Sequence, residues 1–277
     1  MREPTCEEGP LPTSDQHVHS QFSWDAPAGD MEASCRRALE LGLRGIVFTE
    51  HADFVPEVHH DLRPLDIPAY RAEVERCRAI FPELRILLGV ELGEPHRFPA
   101  EAAAVLAASQ PERVLGSVHC VRYEDGMLDA SQLRRLPAEA APGFMRAYLQ
   151  EVLLLVQSSQ PFEVLAHLDY PRRYWPAGAA ALAETDFEAE YRAVLAALAR
   201  RDGVLEINTT RGIEPTRGLC PGPIGVGWWL QEGGRAVSFG SDAHSPEQVA
   251  SGLKVARDLA LGLGLRPERE DSGLWRR

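Results

Sequence analysis

Residues 45–53 read GIVFTEHAD. The first five form an apolar, β-prone run, too short for a helix. Three ligand-type side chains, Glu50, His51 and Asp53, follow at once. A strand that is apolar along its length belongs in a sheet covered on both faces, as parallel sheets built from βα units are. In such sheets the carboxyl ends of the strands converge on one face, where ligands bind. This one stretch therefore predicts both an architecture and the place to look for chemistry.

The same grammar recurs outward in both directions. Short β-rich runs lie at 15–19, 85–90, 114–118, 163–166, 204–207 and 236–239. Helical patterns lie at 31–42, 67–81, 99–109, 142–158, 186–202, 224–232 and 246–262. The first of these has Asp30 as N-cap and Gly42 as stop. The alternation makes about seven βα units in a single α/β domain, and an open doubly wound sheet and a closed barrel fit it equally. Residues 1–14 read as an extension, 15–264 as the domain and 265–277 as a polar tail with the composition of a disordered end. The Pro-rich stretches at 56–68 and 215–223 read as loops on the functional face. Trp228 and Trp229 read as core.

The chain has 277 residues, 44% hydrophobic, and a formal net charge of -12. That excess repels polyanions, so nucleic acid is not an expected partner. The five cysteines, Cys6, Cys35, Cys77, Cys120 and Cys220, contain no CxxC pair, which argues against a zinc ribbon and fits a reducing cytoplasm. The first 14 residues lack the basic-then-apolar pattern of a signal peptide. No apolar run approaches the ~20 residues a membrane span needs. The chain is expected to be cytoplasmic, away from membranes, with an oligomer left open.

The decisive pattern is where histidines and acids fall. His17 and His19 close the first strand, Glu91 follows the third and His119 the fourth. His167 and Asp169 follow the fifth, Glu206 and Asn208 end the sixth, and Asp242 and His244 follow the seventh. A single histidine after a strand is usually structural. Six of the nine histidines at strand ends are better explained as metal ligands, since imidazole and carboxylate suit zinc, iron and manganese. Bound cations also remove the electrostatic cost of crowding acids together. The i, i+2 spacing of His17 with His19, and of Asp242 with His244, puts each pair on one side of an extended chain. No GxSxG, P-loop or GxGxxG is present. Cys120 reads as a buried thiol, His59 and His60 as solvated loop residues, and His96 as a surface residue.

Taken together, DQHVHSQFSWD, IVFTEHADF, GVELGE, LGSVHC, LAHLDYPRR, LEINT and FGSDAHSP resemble the PHP (polymerase and histidinol phosphatase) superfamily, in its stand-alone histidinol-phosphatase branch. The resemblance spans residues 15 to about 262. It implies a distorted (β/α)7, TIM-like barrel and three divalent metal ions, zinc, iron or manganese. It implies one ion on His17, His19, Glu91 and Asp242. Glu91 bridges to a second, completed by His119 and His167, and a third takes Asp25, His51 and His244. Many relatives carry histidine where Asp25 stands, and the harder carboxylate favours iron or manganese. The implied activity is hydrolysis of a small phosphate ester, L-histidinol phosphate, in histidine biosynthesis. A metal-bridging hydroxide attacks phosphorus while metals and arginines offset charge on the phosphoryl oxygens. Arg172, Arg173 and Arg211 lie on the right face to grip phosphate. Glu206 and Asp169, with Asn208 beside them, are placed to hold a cationic head. Asp53 is the assignment for the leaving-group acid, and Glu91 and Asp242 for the catalytic ligands.

Three other readings fit less well. A broader phosphatase or nucleotide phosphoesterase would share the metals. A non-catalytic metal-binding barrel would have lost ligands, and none is lost. An amidohydrolase would show a strand-end lysine, and the only lysine is Lys254, inside the last helical pattern.

Overall fold

A computed structural model of the chain describes residues 12–59, 62–211, 218–269 and 272–277. His60, Cys6, nearly all of the 1–14 extension and part of the 215–223 loop lie outside the described residues. Seven parallel strands carry the architecture: β1 Ser14–Val18, β2 Gly45–Ala52, β3 Arg85–Gly93, β4 Arg113–Ser117, β7 Val164–Leu165, β8 Val204–Asn208 and β9 Ala236–Gly240, in that spatial order. Helices separate most of them: α1 Met31–Glu40, α2 Ile67–Ile80, α3 Pro99–Ser109, α4 Ala141–Gln157, α5 Glu188–Arg200, α6 Pro223–Gln231 and α7 Leu253–Gly262. The sheet curls until its ends meet. Asp242 N donates to His17 O and His19 N to Ala243 O, each at 2.8 Å, which closes the ring just past the end of β9. The fold is thus a strongly curled, TIM-like parallel barrel in one domain.

The helices form where caps and spacing direct them. Asp30 accepts from Ala33 N (2.8 Å) to start α1, and Met31, Cys35 and Ala38 recur at i, i+4 and i+7 on its buried face. Asp66 does the same for α2, with Pro68 in its first turn. The main apolar cluster, including Phe48, Tyr70, Val74 and Ile86, lies between strands and helices. A smaller one, Leu115, Val164, Val204, Ala236 and Leu274, fills the barrel interior below the site. Leu115 is registered against Glu91, so both face inward. Trp228 and Trp229 are core, as expected.

Two elements depart from the sequence reading. Residues 120–129 form a hairpin, β5 Cys120–Tyr123 with β6 Gly126–Asp129. The polar tail is built into the sheet: β10 Arg266–Pro267 pairs with β11 Leu274–Arg276, which pairs antiparallel with β9. Leu274 joins the interior cluster, and Trp275 packs edge-on to Phe239 with ring centroids 5.1 Å apart. Gly273 (φ 68) lies against Ser14 and Gln16 of β1. The segment therefore fills the lower seam between β9 and β1. His96 is also corrected: it is half-buried, with its ring against Glu151 at 2.5 Å.

Candidate metal centre

Six of the seven parallel strands, all but β8, deliver expected metal ligands at or just past their carboxyl ends, and most of these converge on Glu91. Glu91 Oε2 lies 3.1 Å from His17 Nε2, 3.3 Å from His19 Nε2 and 3.3 Å from His51 Nδ1. Glu91 Oε1 lies 2.7 Å from His167 Nε2 and 3.2 Å from His119 Nε2. One carboxylate thus faces two separate groups of imidazoles, the disposition of a bridging ligand. Asp242 Oδ1 is 3.4 Å from His19 Nε2. Asp25 sits 3.4 Å from His51 Nε2 and 3.0 Å from His244 Nε2. All nine residues expected to ligate metal are brought together.

The outer partners decide what the inner nitrogens can do. His17 Nδ1–H donates to Glu206 Oε1 (2.7 Å) and His119 Nδ1–H to Asp53 Oδ1 (2.9 Å). His244 Nδ1–H donates to the Asp242 carbonyl (3.0 Å). Ser23 gives its only hydroxyl hydrogen to Glu50 Oε2 (2.6 Å), so it accepts from His19 Nδ1–H (2.9 Å). Four imidazoles therefore present Nε2 lone pairs inward. His17 Nε2 and His19 Nε2 are only 3.0 Å apart. Two lone pairs at that distance repel unless a proton or a metal cation lies between them. Asp25 Oδ1 and His51 Nδ1 are buried in the cluster without hydrogen-bond partners. This donor set fits divalent metal ions.

The electrostatics agree. Burial alone would raise the Glu91 pKa, yet His17, His119 and His51 hold it well below the usual carboxylate range. Burial works against a charged His17, but Glu206, Glu91 and Asp242 hold it well above an ordinary histidine. His51 is likewise raised to about 9, by Asp25, Asp53 and Glu91 against its burial. The cluster demands positive charge. Asp242 and His167 also carry left-handed backbones (φ 56 and 21), strain that the Asp242 N–His17 O bond and the His167 N–Glu206 bond (2.8 Å) hold in place.

A cavity of about 240 Å³ opens over the cluster. Arg173 and Arg211 line it, as expected for phosphate contacts. Arg173 reaches Asn208 Oδ1 (2.8 Å) and Asp242, and its Nε has no partner. Arg211 donates to the Asp242 carbonyl (3.2 Å) and to His244 Nε2 (2.8 Å).

Several expected roles are corrected. Arg172 does not line the cavity; it is held behind it by Asp169 (2.6 Å) and Glu184 (3.2 Å). Asp169, buried between Arg172 and the Tyr191 hydroxyl (2.6 Å), cannot meet a cationic head. Neither can Glu206, whose oxygens serve His17, His167 N and Asn208 Nδ2 (3.0 Å). Asn208 is a strut between Glu206 and Arg173 rather than a substrate contact. Asp53 is unsuited to the leaving-group acid: burial pushes its carboxyl up, but His119 and His51 bring it down to about 2, so it stays ionised. Its other oxygen accepts from Trp24 Nε1 (2.7 Å). His59, expected in solvent, is packed on the cavity wall against the Trp24 ring (4.8 Å). Asp129, Arg134 and Tyr170 also line the cavity and were not anticipated. Only their position in the unrecognised hairpin region, or beside the arginine pair, could have flagged them.

Comparison with known proteins gives a consistent picture. The family model described as "PHP domain" matches residues 15–210. The histidinol-phosphatase of Lactococcus lactis subsp. lactis is 28% identical over 264 residues, covering 94% of each chain. A Thermotoga maritima protein described as a probable histidinol-phosphatase is 28% identical over 255 residues, covering 88% of this chain and 90% of its own. The crystal structure of the L. lactis histidinol phosphate phosphatase, complexed with zinc, L-histidinol and phosphate, superposes with a TM-score of 0.78, covering 92% of this chain and 94% of that one, at 28% identity.

Proposed function

Because the chain belongs to the PHP domain family, we propose that it is a metal-dependent phosphomonoesterase acting on L-histidinol phosphate. The observation that carries this reading is the set of four imidazoles locked with Nε2 inward, three of them around Glu91 and His244 facing Asp25, with Arg173 and Arg211 on the cavity wall beside them. We assign three divalent ions of zinc, iron or manganese. One is held by His17, His19, Glu91 and Asp242, one by Glu91, His119 and His167, and one by Asp25, His51 and His244. Ions in these positions supply Lewis acidity and a water acidic enough to attack phosphorus near neutral pH.

The remaining work falls to this chain's own side chains. Glu206, Ser23, Asp53 and the Asp242 carbonyl fix the histidine tautomers, so no ligand must reorient during turnover. Arg173 and Arg211, which line the cavity, grip the phosphoryl oxygens. The phosphate end lies against these arginines and the metal ligands. The organic end lies along the wall built by Trp24, His59 and Asp129. Among the described residues, Asp129 is the one carboxylate lining the cavity outside the ligand cluster and its Asp53 strut, and it receives the cationic head. No helix of the described residues is long and apolar enough to cross a membrane. Cys35, Cys77, Cys120 and Cys220 are buried and unbridged, which suits a reducing cytoplasm.

The test is kcat/KM for L-histidinol phosphate against a neutral alkyl phosphate and a nucleoside monophosphate, with metal content measured on the same protein. Leaving the half-buried Asp129 carboxylate without its ammonium costs roughly 1–2 kcal/mol, so the natural ester should lead the neutral one by about 5- to 30-fold. Equal values would leave a general phosphatase; a preference for nucleotides would move the chain to another branch of the family.

A further inference from the structure

A second cluster of ligand-type side chains lies on the cavity wall, separate from the centre above. Cys120 and Asp129 are directly opposed in the β5–β6 register, so both side chains leave the hairpin on the same face. His59, from the loop after β2, closes over them. Its Nε2 lies 3.2 Å from Cys120 Sγ and 3.6 Å from Asp129 Oδ2. All three donor atoms fall within 4.8 Å of one another. Around a tetrahedral zinc, Zn–S of about 2.3 Å and Zn–N or Zn–O of about 2.0–2.1 Å give edges of about 3.3–3.6 Å. The observed spacings are close to those edges, with His59 Nε2 at the shared corner. The other side of the group is the cavity itself, which His59 and Asp129 line.

We propose that His59, Cys120 and Asp129 form an additional site for a thiophilic divalent cation of the zinc class, with its fourth position open to the cavity. Three protein donors and one open position are the composition of an accessible rather than a closed structural site. The sulfur sets it apart chemically, because the centre around Glu91 has only nitrogen and oxygen donors. On binding, the Cys120 S–H bond breaks, sulfur keeps the electron pair as the metal bond forms, and the proton leaves to solvent. A cation here occupies the wall that receives the organic part of the ester. Filling the site therefore competes with substrate, and zinc beyond the complement of the main centre inhibits.

Cadmium reads the site directly, since a thiolate–cadmium bond absorbs in the ultraviolet and nitrogen and oxygen ligands at the main centre do not. With the metal-loaded protein, titration should show one further equivalent bound with a thiolate band. Cys120→Ser should abolish the band. Asp129→Asn and His59→Gln keep the thiol but should each weaken binding at least about tenfold. Zinc inhibition of wild type should be competitive and should be lost in Cys120→Ser. No thiolate band at saturating cadmium, an unchanged band in Cys120→Ser, or unchanged affinity in both Asp129→Asn and His59→Gln would each overturn the site. These readouts are independent of which phosphate ester is the substrate.

Discussion

Glu91 is the residue on which the centre depends, because its two oxygens face different imidazole groups. Glu91→Ala should therefore remove more metal and more activity than loss of a terminal ligand such as His244, as elemental analysis and kcat on the two variants will show. Near wild-type kcat with full metal content in Glu91→Ala would refute the bridging assignment. Glu206 acts one step removed, through His17 Nδ1. Glu206→Gln should lower metal affinity about 10- to 100-fold and slow all phosphate esters together. A selective loss for cationic esters would return Glu206 to the cavity. The histidines also predict a pH effect. In metal-free protein His51 is raised from 6.5 to about 9 by Asp25, Asp53 and Glu91 despite its burial. A raised folded pKa stabilises below the unfolded value of about 6.5, and that contribution fades as pH climbs through about 9. Chelated protein should thus lose melting temperature from pH 6.5 to 9, and metal-loaded protein should not. A flat profile in the chelated protein would count against protons and metals competing for one cluster.

At the scale of elements, most of the parallel strands were legible because they pair an apolar run with turn or cap signals, as in GIVFT after Gly42 and before His51. The ligands were legible because a strand's end has a fixed place in such a sheet. The direction a side chain takes at that end was not. Glu206 and Glu91 read alike in sequence, yet one faces the imidazole Nε2 atoms and the other stands behind them. Likewise Arg172 and Arg173 are neighbours, and the short helical turn over Tyr170–Tyr174 sends one outward to Glu184 and the other into the cavity. The hairpin at 120–129 escaped because its strands are four residues each and mixed in polarity. β11 escaped because only Leu274 and Trp275 are apolar in a charged stretch, and long-range pairing with β9 decides the outcome. Its importance is open to measurement. Trp275→Ala removes a buried ring packed on Phe239, at a cost of about 3–5 kcal/mol. That corresponds to a fall in Tm on the order of 10 °C. A change under a degree or two would show the strand to be ornamental.

For the whole molecule, the net charge of -12 and the arginine-lined cavity act at different ranges. In the proposed reading the arginines hold a small phosphate at contact distance, whereas a net charge of this sign repels an extended polyanion out to about a Debye length, roughly 10 Å at 0.1 M salt. Any cleavage of a 3'-phosphorylated oligonucleotide should therefore be slow and should speed up as salt is added. A fall with salt would reveal a basic groove. The seam between β9 and β1 carries a different consequence, for the order of events during synthesis. His17 and His19 are made before the rest of the barrel; their partners Asp242 and His244, and the β11 segment that fills the seam beneath them, follow the last of the parallel strands. A nascent chain can assemble βα units as they emerge, yet it lacks Asp242 and His244 until β9 is finished, and its edge stays unsealed until translation has passed Trp275. Capture of the full metal complement is thereby deferred until β11 has emerged, and chains stalled on ribosomes before Asp242 should retain less metal than chains that extend past Trp275.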